Sequence, residues 1–90
     1  MLPDVFPLGQ IKLDPSLIGI ISQGQIRDLL DRHATGDWGD VDQSTKESNT
    51  KGLVRGGQIT SRYLVAGGYA CVVRTAADRR STLLRVSNKS

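Results

Sequence analysis

His33-Ala34-Thr35-Gly36-Asp37-Trp38-Gly39-Asp40-Val41-Asp42 is the stretch on which the reading of this chain turns. It holds the only histidine and the only tryptophan in 90 residues, with two glycines and three aspartates. It also lies between two helical patterns. Upstream, Ile26, Leu29, Leu30 and His33 recur at helical spacing and predict a short amphipathic helix. Gly36 suits the left-handed residue that follows many helix C-termini. Downstream, Asp40 or Asp42 can accept hydrogen bonds from the free amides that open a second helix. The connection is tight, and Gly36 and Gly39 allow close backbone approach. It must also place Trp38, and a lone indole usually buries its ring and seeks a partner for its N–H. His33, Gly36, Asp37, Trp38, Gly39 and Asp40 are therefore expected to form a structural motif.

Toward the N-terminus, the helix that leads into this stretch runs from Gln25 to His33, with Arg27, Asp28, Asp31 and Arg32 outward. Before it, Asp14-Pro15-Ser16 reads as another helix start, with Asp14 as cap and Pro15 at the first position. Leu17, Ile18, Ile20 and Ile21 then make a nearly all-apolar helix that Gly24 ends; a buried strand from Leu17 to Ile21 is the alternative. Val5 to Leu13 reads as the first strand, firm from Gly9 or Gln10, with Lys12 outward and Pro7 arguing for an edge position.

Toward the C-terminus, Asp42 to Val54 predicts a polar, marginal helix, because Ser44, Thr45, Ser48, Asn49, Thr50 and Gly52 are poor helix formers. Gly56-Gly57 stops it. Gln58 to Val65 alternates, with Ile59, Ser61, Tyr63 and Val65 on one face. Ala66-Gly67-Gly68 is a hairpin turn. Strands from Tyr69 to Thr75 and from Ser81 to Val86 follow, and Ser87 to Ser90 is a frayed tail. The expected fold is a single α+β domain over residues 1–90. It has an N-terminal strand, two or three short helices and a C-terminal three-stranded antiparallel meander, all in one mixed sheet.

Composition bounds the function. There is no run of about 18 apolar residues, so no membrane-spanning helix is expected. Met1-Leu2-Pro3-Asp4 lacks the basic start and apolar run of a secretory signal. Cys71, the only cysteine, reads as a buried thiol and suits a reducing cytoplasm. Charge is divided unevenly: residues 1–50 carry eight acids and four bases, and residues 51–90 one acid and eight bases, or −4 against +7. That asymmetry points to anionic partners for the C-terminal half. The simpler reading is that the halves pack together and offset each other.

His33 with Asp37, Asp40 and Asp42 falls short of a metal centre, which normally needs three or four converging ligands. No nucleophile is signalled beside His33, and Gly36-Asp37-Trp38-Gly39 is no nucleophile elbow. Gly56-Gly57 and Gly67-Gly68 lack the lysine and hydroxyl of a phosphate loop. No catalytic residue, metal or cofactor is expected. Arg62, Arg74, Arg79, Arg80 and Arg85 are the expected partner-binding residues. They could hold nucleic acid electrostatically, with Tyr63 and Tyr69 stacking on bases if they share the exposed face. The bland reading is a solvated sheet face.

The spacing Leu8-Gly9-Gln10-Ile11, then Arg32-His33-x-x-Gly36-Asp37-Trp38-Gly39-Asp40, resembles that of small plasmid- and integrative-element-borne bacterial proteins. Asn49, Gly56-Gly57, Ser61-x-Tyr63 and Thr75-x-Ala77-Asp78-Arg79 continue the resemblance over nearly the whole chain. It departs from that pattern by lacking an acidic third helix and an acidic tail. Some such proteins carry labels linking them to type I restriction systems. A methyltransferase subunit, however, needs a nucleotide-binding α/β domain and a catalytic motif, and neither fits in 90 residues. The resemblance implies a mobile-element product, and the missing catalytic motif and the lone thiol add the expectation that it is non-catalytic and cytoplasmic. Its expected task is to inhibit or modulate a host protein or defence complex, with direct nucleic-acid binding as the alternative.

Overall fold

A computed structural model describes residues 4–88. A four-stranded mixed sheet carries a helical layer on one face. The strands are β1 (Gln10–Leu13), β2 (Ile59–Val65), β3 (Tyr69–Thr75) and β4 (Ser81–Asn88). The helices are α1 (Gln23–Ala34) and α2 (Gln43–Arg55). The sheet order is β1-β4-β3-β2. The three C-terminal strands form the expected antiparallel meander, and β1 joins parallel to β4.

Two elements differ from expectation. The apolar run after Asp14 does not become a helix. Asp14 does cap, accepting from the Ser16 amide at 2.9 Å, but only a single 3-10 turn, Pro15–Leu17, follows. Gly19 adopts φ +79 and breaks the run. Leu17 and Ile21 still reach the core, whereas Ile18 is 82% exposed. Gly24, expected to end a helix, instead lies inside α1. The true start is Ser22, whose hydroxyl accepts from Gln25 N while the Gln25 side chain accepts from Ser22 N. This reciprocal box satisfies two of the amides that open a helix. The second difference is at the C-terminus: Ser87 and Asn88 continue β4 rather than fraying. Of the expected tail, Lys89 and Ser90 lie outside the described residues, as do Met1, Leu2 and Pro3.

The core gathers Leu17, Ile21 and Leu29 against Tyr63, Cys71, Val73 and Leu84 of the sheet. Burial pushes the Cys71 thiol up to about 11, as expected for an inert core thiol. No described helix is long and apolar enough to cross a membrane.

Both outer strands present an edge, and the chain treats them differently. Along β2, Asn49 Nδ2 donates to Thr60 O at 2.8 Å and Thr60 N donates to Asn49 Oδ1 at 2.9 Å. Two residues on, Arg62 N donates to Trp38 O at 3.0 Å and Asp40 N to Arg62 O at 2.6 Å. A side-chain amide and a stretch of main chain thus take the place of a fifth strand. Covering backbone groups in this way blocks edge-to-edge pairing. This is why a helix of poor propensity persists: α2 is capped by Asp42 at one end, closed by left-handed Gly56 at the other, and bolted to β2 by Asn49 between.

Candidate binding face and the motif that frames it

His33 lies on the last turn of α1, fully buried. Its ring is expected to favour the protonated state, near the helix C-terminus and with an aspartate or carbonyl partner. The structure overturns this. Nδ1 lies 2.5 Å from Ser61 Oγ and Nε2 2.8 Å from Thr75 Oγ1. Thr75 Oγ1 is in turn 2.7 Å from Thr82 Oγ1, which donates to Leu8 O at 2.7 Å. That last carbonyl can only accept, so the direction follows as far as the ring: Thr82 spends its proton on Leu8, Thr75 donates to Thr82, and His33 Nε2–H donates to Thr75. Burial favours the neutral ring, whose proton is then on Nε2 and whose Nδ1 accepts from Ser61. Desolvation by burial, then the charge of Arg79, bring its pKa down to about 4. The helix-end dipole is weaker than the loss of water. Phe6 closes the site with its ring 5.2 Å away and 87° to the imidazole.

Ser61 beside His33 was not legible as a pair, since 28 positions separate them. Both residues are fully buried, and the third partner is a hydroxyl rather than a carboxylate. The arrangement joins α1, β2, β3, β4 and the segment before β1, which is what a satisfied buried network does for a fold.

The rest of the motif wraps the β2 edge. Gly36 takes φ +92 as the helix ends. Asp37 accepts from Arg32 at 2.7 and 3.2 Å, and that bidentate pairing holds its carboxyl below the usual range. The Arg32 guanidinium lies 4.5 Å over the Tyr63 ring, and Tyr63 O–H donates to Asp37 O at 2.7 Å. Gly39 has φ +72, and a Cβ there would strike the Arg62 carbonyl and the Tyr63 ring. Trp38 is half-buried, and its Nε1, though buried, has no hydrogen-bond partner in the structure, contrary to the expectation that a lone indole finds one. Among the described residues no group of three His, Cys, Asp or Glu could hold a metal ion.

Among the described residues no helical layer covers the sheet's other face, although α2 borders it through Ser44, Thr45 and Ser48 beside Thr60 and Arg74. Register places Arg85, Val72 and Arg62 in one row across β4, β3 and β2. The adjoining row is Lys12, Leu83, Arg74 and Thr60. Adjacent strands lie about 4.8 Å apart, so Arg85 and Arg62 stand roughly 10 Å from each other with Arg74 offset by two residues along β3. These side chains line an open depression of about 470 Å³ with Val41, Thr45 and Thr60, and with Asp40 and Asp42 on its rim. Arg62 is paired with Asp40 at 2.6 Å. Arg74 and Arg85 form no ion pair with any described carboxylate, and Arg74 is exposed.

Of the five arginines singled out in the sequence, the fold brings Arg62, Arg74 and Arg85 together. Arg80 is exposed on the β3–β4 turn, 4.0 Å from Asp78. Arg79 turns the other way. From a left-handed backbone position (φ 63) its guanidinium donates to Gly57 O at 2.6 Å and Gly52 O at 3.0 Å, tying that turn to the end of α2. Lys12 joins the cationic face although only its outward direction was legible, because its neighbours depend on where β1 enters the sheet. Tyr63 and Tyr69 do not: alternation puts both on the helix-covered face, so neither can stack on a base bound to the arginines. No family model, curated protein or solved structure matches this chain.

Proposed function

We propose that this chain is a non-catalytic binding protein whose arginine-rich open sheet face docks on an acidic surface of a host protein or complex. The carrying observation is that Arg74 and Arg85 stand beside Arg62 on the open sheet face with no described carboxylate within ion-pair distance of either, although Asp40 and Asp42 line the same depression and Asp14 feels the charge of Arg85. Val72 and Leu83 alternate with the cations, which suits a protein interface better than a phosphate backbone. Among the described residues of its strands, the face carries none of the aromatic platforms that single-stranded nucleic acid uses. In a mobile-element product, as the sequence resemblance implies, such a face would serve to block or modulate a defence complex.

The test is affinity capture from the native host, with nuclease treatment in one arm and Arg74→Glu/Arg85→Glu in another. The expected result is a nuclease-resistant partner lost with the double variant. In parallel, titration with single- and double-stranded oligonucleotides at about 0.15 M salt should give nothing tighter than roughly 10⁻⁴–10⁻⁶ M. Nanomolar oligonucleotide binding, or capture indifferent to the double variant, would refute the reading.

A further inference from the structure

Among the described residues nothing covers the edge opposite β2. Gln10 N donates to Arg80 O and Asp14 N to Leu84 O, both toward β4. Backbone groups alternate sides along a strand. The even-numbered residues of β1 therefore face β4, and the N–H and C=O groups of Ile11 and Leu13 face outward. Among the described residues none of these has a partner, whereas the backbone groups of Thr60 and Arg62 on the other edge are paired. Ile11 is 37% and Leu13 54% exposed, because the core stops at Leu84 of β4 and does not extend over β1.

We infer that β1 pairs antiparallel with β1 of a second copy, giving a two-fold dimer with one continuous eight-stranded sheet. A second copy fits because the edge is self-complementary. With Ile11 opposite its own symmetry mate, both copies exchange N–H···O bonds at that residue. Apolar Ile11 then meets Ile11 on the helical face. On the other face Gln10 lies opposite the partner's Lys12, an amide oxygen against an ammonium. The alternative register, one residue further along, sets Lys12 on Lys12, and like charges directly opposite are disfavoured. The dimer places the two basic faces side by side, independently of what those faces bind.

The register makes distinct demands on substitutions along β1. Ile11→Pro removes only an outward N–H and leaves the bonds to β4 intact, as edge strands permit. Sedimentation of the wild-type chain over a wide concentration range should show a dimer, and Ile11→Pro a monomer with an unchanged circular dichroism spectrum. Cysteines give an independent reading should the proline variant not fold. The non-hydrogen-bonded pair, Gln10 opposite the partner's Lys12, has the closer side chains, about 4.5 Å between Cα atoms, as a disulfide requires. Mild oxidation of a mixture of Gln10→Cys and Lys12→Cys chains should then yield a covalent heterodimer, and either variant alone much less. A wild-type chain that remains monomeric at the highest concentration, a folded Ile11→Pro dimer, or cross-linking of either single variant equal to that of the mixture would overturn the inference.

Discussion

Lowering the pH from 7 to 4.5 should weaken this fold through a single side chain. His33 is the only histidine, and its pKa stands at about 4 in the folded chain against an ordinary 6.5. The direction matters. A histidine whose folded pKa is depressed is proton-poor relative to the unfolded chain. It leaves stability untouched above about pH 6.5, takes stability away between about 6.5 and 4, and takes no more below that. Each pKa unit is worth about 1.4 kcal/mol, so the loss between pH 7 and 4.5 comes to about 2 kcal/mol. A domain of this size has roughly 5–13 kcal/mol in hand, and about 2 kcal/mol should lower Tm by roughly 10 °C. Asp14, Asp37 and Asp42 act in a lower window. Hydrogen bonds from Ser16, Arg32 and Thr45 hold their carboxyls below the usual 3.8, so their contribution is full above that pH and is lost only as pH falls further. The interval from 6.5 to 4.5 thus isolates His33. Urea melts at pH 7, 5.5 and 4.5 provide the measurement, with His33→Gln as the non-titrating control. The variant should start less stable at pH 7, because Ser61 and Thr75 lose their partner, and should show little slope. A flat wild-type profile, an identical slope in the variant, or an imidazole NMR titration centred near 6.5 would refute the buried neutral ring.

Asn49→Ala should cost about 2 kcal/mol in denaturant melts, because it strips partners from both backbone groups of Thr60 at the β2 edge. Asn49→Asp should be no milder, since a carboxylate cannot donate to the Thr60 carbonyl; full stability in either variant would mean that α2 is held elsewhere. Gly39→Ala should destabilise far more than Gly36→Ala in the same melts. Both have positive φ, but only at Gly39 would the new methyl meet the Arg62 carbonyl and the Tyr63 ring. Equal losses would show that backbone strain alone decides.

The local elements of this protein were written in its sequence. Alternation over Ile59–Val65, the Gly67-Gly68 turn and the Asp42 cap are short-range signals, and the structure has strand, turn and cap at those places. The expected α+β class follows from their order. The run Leu17–Ile21 was the misleading part. Its apolarity correctly marked burial for Leu17 and Ile21, but apolarity alone does not choose helix over turn when Gly19 adopts a left-handed backbone. Only the tertiary structure decided the rest, because it depends on contacts between distant positions. The protonation of His33 rests on hydroxyls 28 and 42 positions away. The division of the arginines is of the same kind: strand register gathers Arg62, Arg74 and Arg85 on one face, while a left-handed turn residue points Arg79 at α2. Side-chain charge is a property of composition, but where that charge faces is fixed by pairing, and pairing is settled only when the strands meet.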